Sequence, residues 1–142
     1  MSIKFYTEAI KFTLADKKKV KHWITETIKA EKKIPGKINY IFCSDDYLLA
    51  LNRNYLKHDT YTDIITFDYV TAQNISGDIF ISIDRIKENA SKFNTNFIEE
   101  LQRVIIHGIL HLLGYKDKTP KEKNTMRWKE DFYIALKNQM PK

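Results

Sequence analysis

Two histidines four residues apart are the strongest chemical signal in the sequence. His107 and His111 lie in the segment RVIIHGILHLLGYKDK, residues 103–118. On a helix, residues i and i+4 share one face with β-carbons about 5–6 Å apart, so both imidazoles could bind one metal ion. Gly114 can end the helix in a left-handed conformation, which would bring Asp117 back over the histidines. Two histidines and a carboxylate leave zinc one open position for water.

The same spacing occurs in HExxH zinc proteases, but here Gly108 stands at the position of their catalytic glutamate. No neighbouring carboxylate is then placed to act as general base, which argues against an ordinary metalloprotease. Isoleucine and leucine surround both histidines, so a second interpretation is that they are buried core residues. Gly108 favours a site, because the absence of a side chain lets substrate or backbone approach His107 closely. We predict His107 and His111 as catalytic and metal-binding residues, with Asp117 as the third ligand.

Length and composition are those of a globular protein. A chain of 142 residues can bury roughly two-thirds of its unfolded surface, so it needs no metal merely to fold. Hydrophobic residues make up 43% of the sequence and charged residues 30%, which excludes a disordered chain. Because the sequence contains no repeat and no linker, we predict one domain over residues 1–142.

Cysteine content and hydropathy indicate where the protein works. The single cysteine, Cys43, excludes an internal disulfide and is expected in a buried strand. The sequence has neither a secretory signal nor a stretch of about 20 apolar residues that could span a membrane. We therefore expect a cytoplasmic protein with no membrane partner.

The positive charge lies at the N-terminal end of the chain. The net charge is +6, and residues 1–37 contain ten lysines against four acidic residues, whereas the remainder contains 14 of each sign. A basic surface attracts polyanions such as RNA through phosphate contacts. The cluster that we assign to RNA binding is Lys17, Lys18, Lys19 and Lys21. The alternative is that these lysines form only the solvated face of a helix.

Hydrophobic periodicity and turn residues predict alternating strands and helices. The predicted elements, in chain order, are a strand within 3–14, a helix 17–33, a strand 37–43, a helix 45–56, antiparallel strands 62–70 and 77–83, and helices 85–93, 97–113 and 120–138. The predicted N-caps are Asp16, Ser44, Asp84, Asn96 and Thr119. Pro35 and Gly36 are expected to end the first helix. This order predicts an α/β (α+β) fold, in which a mixed sheet of roughly four strands packs with about five helices and the histidine helix is central.

Three segments share their pattern with one known family. HGILHLLGYKD, residues 107–117, resembles the signature H-G-x-L-H-L-x-G-Y-D-H. LNRNYLKHDTYTDIITFDY, residues 51–69, resembles L-N-x-x-Y-R-x-K-D-x-P-T-D-V-L-S-F, and SGDIFIS, residues 76–82, resembles L-G-D-I-x-I-S. In this order and spacing, the sequence resembles the YbeY family of bacterial rRNA maturation factors.

The resemblance implies a metal-dependent endoribonuclease that is specific for single-stranded RNA. It implies a role in rRNA maturation, at the 3′ end of the 16S rRNA, and in ribosome quality control. It further implies one Zn²⁺ per chain, and as partners the rRNA of the small ribosomal subunit and a ribosomal protein or a GTPase. The alternative is a ribosome-assembly factor that binds RNA and holds a mainly structural metal, and a small metalloprotease is the least favoured function.

The sequence departs from the family pattern at the third metal ligand. Asp117 stands where the family has histidine, and Lys116 precedes it in place of aspartate. A dication on two neutral histidines and one carboxylate keeps about one positive charge, so divalent ions harder than zinc become acceptable. The same three ligands also suit Fe(II). His58 is an alternative third ligand, and no residue is assigned as general base.

A second departure concerns the contacts with RNA. Leu56 stands where the family has arginine, and Tyr61 stands in place of proline. We expect Arg53, Lys57 and His58 to contact RNA phosphates from the same segment. The alternative is that these three residues only keep a loop solvated.

Overall fold

The computed structural model describes residues 2–141. Within that range the elements, in chain order, are β1 (Ser2–Glu8), α1 (Lys17–Ala30), β2 (Ile34–Cys43), α2 (Asp45–Tyr55), β3 (Ile64–Asp68), β4 (Asn74–Ser82), α3 (Ile83–Lys92), α4 (Phe97–Leu112) and α5 (Pro120–Gln139). The strand order in the sheet is β1-β2-β4-β3. Strands β1 and β4 pair with β2 in parallel, and β3 pairs with β4 in the antiparallel direction. The predicted α/β class, with five helices and a four-stranded mixed sheet, is confirmed.

One face of the sheet is buried by α1 and α4. In β2, Ile38, Tyr40 and Phe42 are almost completely buried and belong to the main hydrophobic core. Side chains along a strand alternate between its two faces, and these three residues are two positions apart. All three therefore lie on the face that packs against the helices. The Tyr40 hydroxyl donates a hydrogen bond to the carbonyl oxygen of Ile105 at 2.9 Å. This bond ties the middle of α4 to the centre of the sheet.

Gly108 lets α4 lie close to the sheet. A β-carbon at this position would come within 3.0 Å of Ile79 and 3.1 Å of Ile64. Protein cores are close-packed, so a side chain at position 108 would push α4 away from β3 and β4. We expected Gly108 to admit substrate or backbone beside His107. The neighbours are instead two side chains of the sheet.

The predicted capping box begins α5. The Thr119 hydroxyl accepts a hydrogen bond from the Glu122 N–H at 3.1 Å, and the Glu122 carboxylate accepts one from the Thr119 N–H at 2.9 Å. Pro120 occupies the first helical position, where no N–H is needed. Further along, the carbonyl of Tyr133 accepts a hydrogen bond from the indole N–H of Trp23 at 2.7 Å. Helix α5 is thereby held against α1 as well as beside α4.

Asp16 occupies the predicted N-cap position of α1 but does not cap it with its side chain, and the predicted N-cap Asp84 is wrong. Asp16 has φ of 56°, outside the extended region that capping requires, and its side chain accepts no capping hydrogen bond. Helix α3 begins earlier than predicted, because the Ser82 hydroxyl accepts a hydrogen bond from the Arg85 N–H at 3.1 Å. Asp84 instead accepts one from the Asp45 N–H at 2.9 Å. The caps that are confirmed are Ser44, Asn96 and Thr119.

Two predicted boundaries also differ. Pro35 and Gly36 lie inside β2 rather than in a turn that ends α1. A β-carbon at Gly36 would come within 2.8 Å of the backbone carbonyl oxygen of Ile75 in β4, so the close pairing of these strands requires glycine. Strand β1 ends at Glu8, because Ala9 has φ of 60° and leaves the extended region.

The remaining expectations concern hydropathy and the cysteine. In residues 2–141, no helix combines the length and the apolar composition needed to cross a membrane. Cys43 is completely buried at the end of β2, as predicted. Burial, with the nearby carboxylates, raises the pKa of its thiol to about 12. The thiolate is therefore scarce at neutral pH, and this residue is a structural cysteine.

Candidate metal centre

The two histidines lie one turn apart in the second half of α4. Their ring centroids are 4.5 Å apart and the ring planes are at 82°. After α4, Gly114 has φ of 102° and donates its N–H to the carbonyl oxygen of His111 at 3.0 Å. Tyr115 donates its N–H to the carbonyl oxygen of Leu110, also at 3.0 Å. The chain reversal predicted at Gly114 is confirmed, and it returns the chain over the histidine face.

Asp117 is brought to both histidines by this reversal. Its Oδ2 atom lies 3.2 Å from Nε2 of His107 and 3.2 Å from Nε2 of His111. One ligand atom from each of the three residues falls within 4.8 Å of the others, which is the geometry of a site that could hold one metal ion. His58, the alternative third ligand, is exposed in the loop after α2 and is not part of this group.

The opposite nitrogen of each imidazole ring has a partner of its own. Nδ1 of His107 lies 2.7 Å from Oε2 of Glu130, and Nδ1 of His111 lies 3.1 Å from the carbonyl oxygen of Tyr115. Both partners are acceptors, so the tautomer with the proton on Nδ1 satisfies them and leaves the Nε2 lone pair free for an ion. The Nε2 lone pairs then face Asp117. Histidines that bind metals usually have this arrangement, with a carboxylate or carbonyl holding the other nitrogen.

Glu130 is itself held in a buried ion pair. Its side chain is 7% exposed, and its Oε1 atom accepts a hydrogen bond from Arg103 at 2.9 Å. Arg103 also donates to Asp131 at 2.8 Å. Because a buried carboxylate needs compensating partners, Arg103 and His107 together hold Glu130 in place.

A second network fixes the loop that carries Asp117. The Tyr115 hydroxyl donates a hydrogen bond to Glu31 at 2.5 Å, and the Tyr133 hydroxyl donates to the same carboxylate. The Lys129 ammonium lies 3.0 Å from Glu31. Tyr115 is thus fixed through its N–H at Leu110 and through its hydroxyl at Glu31. The carbonyl that orients His111 is held between these two bonds.

The electrostatic environment shifts the pKa values of the two histidines in opposite directions. Burial lowers the pKa of His107, but the hydrogen bond and charge of Glu130, with the charges of Asp117 and Asp63, outweigh it and leave the pKa raised. Burial and the neighbouring His107 lower the pKa of His111. The carboxyl of Asp63 has a raised pKa, chiefly because of burial. In the absence of an ion, His107 therefore accepts a second proton more readily than His111 does.

The three converging side chains remain open to solvent. The exposed fractions are 20% for His107, 26% for His111 and 37% for Asp117. A buried structural site would shield its ligands, whereas these values leave room for water and substrate. The second interpretation of the sequence, fully buried core histidines, is therefore wrong.

Comparison with known proteins identifies the family. The family model described as Endoribonuclease YbeY matches residues 2–137. The chain belongs to the YbeY family. A relative named Endoribonuclease YbeY from Christiangramia forsetii is 51% identical over 134 residues, covering 94% of this chain and 93% of the relative. One of the same name from Parabacteroides distasonis is 49% identical and covers 96% of each chain.

A solved structure of similar fold supports the same assignment. The solution structure of TM1509 from Thermotoga maritima has a TM-score of 0.68 and 30% sequence identity to this chain. The alignment covers 96% of this chain and 89% of that protein. The YbeY resemblance drawn from the three sequence segments is therefore confirmed over nearly the whole chain.

Three residues at or near the candidate site were not predicted from the sequence: Glu130, Glu31 and Asp63. Glu130 and Glu31 are two of many glutamates on helices, and nothing in their local sequence distinguishes them. Asp63 did carry a signal, because it lies in the TDIITF stretch that matches the family pattern. Asp63 is only partly exposed at the start of β3, close enough for its charge to raise the pKa of His107.

The lysine cluster lies away from the histidines. Lys17, Lys18 and Lys21 are exposed and Lys19 is half-buried in the first turns of α1. The loop of residues 113–119, which carries Asp117 and which we call the metal loop, contacts the opposite end of this helix, where Tyr115 bonds to Glu31. A rise of 1.5 Å per residue puts Lys17 and Lys21 about 21 and 15 Å from Glu31 along the helix. The structure therefore does not bring the cluster to the candidate metal centre.

The other predicted RNA contacts lie at the end of α2. Arg53 forms an ion pair with Asp59, and both side chains are largely exposed. Lys57 has φ of 59°, and the N–H of His58 bonds to the carbonyl oxygen of Asn52 at 3.2 Å. All three side chains are exposed, Arg53 in the last turn of α2 and Lys57 and His58 in the loop that follows. The Arg53 guanidinium is paired with Asp59, so an RNA phosphate would have to compete with the Asp59 carboxylate for it.

Proposed function

We propose that this protein is a metal-dependent endoribonuclease that cuts single-stranded RNA during rRNA maturation. The observation that supports this most is the convergence of His107, His111 and Asp117 on one point, in a chain that belongs to the YbeY family. Relatives that are about half identical over nearly the whole chain are named endoribonucleases. The catalytic residues are His107 and His111, which would hold the ion at the reacting phosphate.

The ligand set fits one divalent ion, for which we propose Zn²⁺. Two imidazoles and a carboxylate are ordinary zinc ligands, and three of them leave one coordination position open. Asp117 in place of a third histidine makes harder ions and Fe(II) acceptable as well. A bound ion would activate water and offset the negative charge that develops on the scissile phosphate.

The surrounding residues hold the ligands ready for an ion. Glu130 accepts the Nδ1 proton of His107, and the Tyr115 carbonyl accepts that of His111. Both rings therefore present Nε2 toward Asp117 without reorientation, which reduces the entropic cost of ion binding. A carboxylate partner also makes the histidine a more basic ligand. These residues position the ligands, and none of them is assigned as the general base.

The position of Gly108 disfavours a metalloprotease. In HExxH enzymes the residue after the first histidine is the glutamate that acts as general base. Here a side chain at position 108 would point at Ile64 and Ile79 in the sheet. A carboxylate in that place would be buried among aliphatic side chains and could not serve the histidine face.

Single-stranded RNA of the small ribosomal subunit is the proposed substrate. The partial exposure of the three ligands lets an extended strand reach the centre. The cluster of Lys17, Lys18, Lys19 and Lys21 would contact phosphates about 15–21 Å along α1 from the end that meets the metal loop. We further propose a cytoplasmic location and, as partners, a ribosomal protein or a GTPase.

Metal content and RNA cleavage of three proteins test the proposal. The parent is compared with His111→Ala and with His22→Ala, a matched control because the His22 side chain is 61% exposed on α1. Each protein is offered a single-stranded RNA and the same sequence as a duplex. The parent and His22→Ala should hold one ion and cut the single strand. His111→Ala should do neither while keeping its cooperative unfolding.

Two outcomes would decide against an endoribonuclease. If His111→Ala cuts RNA as fast as the parent, the cleavage comes from a contaminating nuclease. If the parent binds RNA and keeps its ion but does not cut, the protein is an assembly factor with a structural metal.

A further inference from the structure

Helix α5 carries an exposed pair of aromatic side chains that the proposed function has not used. Trp128 is 61% exposed and Phe132 is 52% exposed. Their rings are stacked, with centroids 5.7 Å apart and planes at 22°. We call this pair the aromatic platform. Large aromatic side chains usually bury most of their surface, so two stacked rings held in water indicate a binding surface.

The aromatic platform lies beside the metal loop. The Lys129 ammonium is 5.6 Å from the centre of the Trp128 ring and 5.3 Å from the centre of the Tyr115 ring. Tyr115 is two residues before Asp117 and orients His111 through its carbonyl. The platform therefore adjoins the Lys129, Tyr115 and Glu31 network that holds the loop of Asp117.

The charge around the platform favours a polyanion. Residues 113–139 contain seven lysine and arginine residues and four acidic ones. All four acids are engaged within the protein: Asp117 at the histidines, Glu122 in the capping box, Glu130 in its buried ion pair and Asp131 with Arg103. Lys116 and Lys118 are exposed on either side of Asp117. Seven basic against four acidic residues give this segment a net charge of +3, which favours a polyanion.

Lys121 adds a phosphate contact at a suitable distance. Residues seven apart lie on the same face of a helix, so Lys121, Trp128 and Phe132 form one stripe along α5. The axial rise from Lys121 to Trp128 is about 10 Å. Proteins that bind single strands combine such aromatic faces with basic side chains that follow the backbone.

We propose that the aromatic platform is a stacking site for a base of single-stranded RNA. This proposal rests on the proposed function, because it assigns a second contact for the same substrate. Two ring faces cannot provide the roughly 800 Å² per partner of a stable protein interface, which disfavours a second copy of the chain. A duplex keeps its bases stacked within itself, so the platform also selects single strands over duplexes.

Tryptophan fluorescence tests the site directly, because the chain contains two tryptophans and Trp23 is completely buried. The probe is a short oligoadenylate with 2′-O-methyl riboses, titrated into the parent, Trp128→Phe, Trp128→Ala and Phe93→Ala. We expect saturable quenching of the parent and no change in Trp128→Phe, whose emission comes from Trp23. Affinity, measured with a labelled oligonucleotide, should fall roughly tenfold in Trp128→Ala and little in Trp128→Phe.

Phe93→Ala is the matched control, since Phe93 is 57% exposed at the end of α3. It should bind like the parent. The stacking site is overturned if the parent shows no saturable quenching, if an abasic strand of the same length quenches equally, or if Trp128→Ala binds like Phe93→Ala. Metal content and RNA cleavage by the parent are measured separately. Quenching without cleavage would leave the stacking site standing and reject the nuclease.

Discussion

Nδ1 of His107 lies 2.7 Å from Oε2 of Glu130, so a carboxylate on α5 sets the orientation of a metal ligand on α4. We predict that Glu130→Gln weakens metal binding by about 10- to 100-fold, the usual effect of losing such a partner. The amide carries no charge, so it holds the His107 ring less firmly and makes Nε2 less basic. Competition against a chelator of known affinity, well below the unfolding temperature, measures this change.

Asp131→Asn is the matched control for this prediction. Asp131 is the next residue and also pairs with Arg103, but its side chain is 58% exposed and it contacts neither histidine. Metal affinity should be unchanged in this variant. If the two variants lose the same amount of metal affinity, Glu130 affects the metal site through its ion pair with Arg103 and not through its contact with His107.

The histidine helix could be predicted because its signals are local. The spacing of His107 and His111, the turn at Gly114 and the return of Asp117 all fall within 11 residues. The Asn96 and Thr119 caps are equally local, since each is read from residues within one turn. The predicted capping by Asp16 and Asp84 is not found, because the type of a residue does not determine the backbone conformation before a helix. Ser82 and the left-handed φ of Asp16 decide those two ends.

The residues that support the ligands could not be predicted, because only tertiary packing brings them to the site. Glu130 is 23 residues from His107 along the chain, and Glu31 is 84 residues from Tyr115. Their sequence context is that of ordinary helix surface glutamates. The residues that contact Gly108 could not be predicted for the same reason, because they depend on which strands α4 crosses.

Replacing Asp117 tests whether it is the third ligand. Asp117→Ala should lose metal affinity by at least roughly a hundredfold, because two histidines alone leave the ion half coordinated. Asp117→His should bind an ion and prefer zinc more strongly than the parent does, since neutral imidazole suits zinc and disfavours harder ions. Metal stoichiometry after exposure to a mixture of divalent ions reports both changes.

His58→Ala is the control for this pair of variants. The structure places His58 outside the cluster, so the variant should bind metal like the parent. Full occupancy in Asp117→Ala together with loss in His58→Ala would identify His58 as the third ligand and remove Asp117 from the site.

The lysine cluster on α1 should affect long RNA more than short RNA. Changing Lys17, Lys18, Lys19 and Lys21 to glutamine should lower the slope of log affinity against log salt by about 0.7 for each phosphate that is no longer neutralised. Short oligonucleotides at the metal centre should be cut at the parent rate, because the cluster is about 15–21 Å from Glu31 along α1. The double variant Lys87→Gln, Lys92→Gln on α3 is the control. If each lysine removed from α3 lowers the slope as much as each lysine removed from α1, only the net charge of the protein matters.

The Glu31 network gives a prediction for pH. Burial raises the pKa of Glu31, but hydrogen bonds from Tyr115 and Tyr133 and the Lys129 ammonium outweigh it and leave the pKa lowered. A lowered pKa means that this carboxylate stabilises the fold above its unfolded pKa, and that the contribution is lost as the pH falls through the folded value. Glu31→Gln should therefore be less stable than the parent at neutral pH, and the difference should disappear in acid.

Glu31→Gln should also weaken metal binding roughly tenfold at neutral pH, because Tyr115 would hold the His111 ring less firmly. Glu26→Gln on the same helix is the control, since Glu26 is 43% exposed and its only ion pair in residues 2–141 is a long one with His22. It should match the parent in metal affinity and in acid unfolding. If Glu31→Gln loses stability but keeps the parent's metal affinity, the network supports the fold alone and does not position the metal loop.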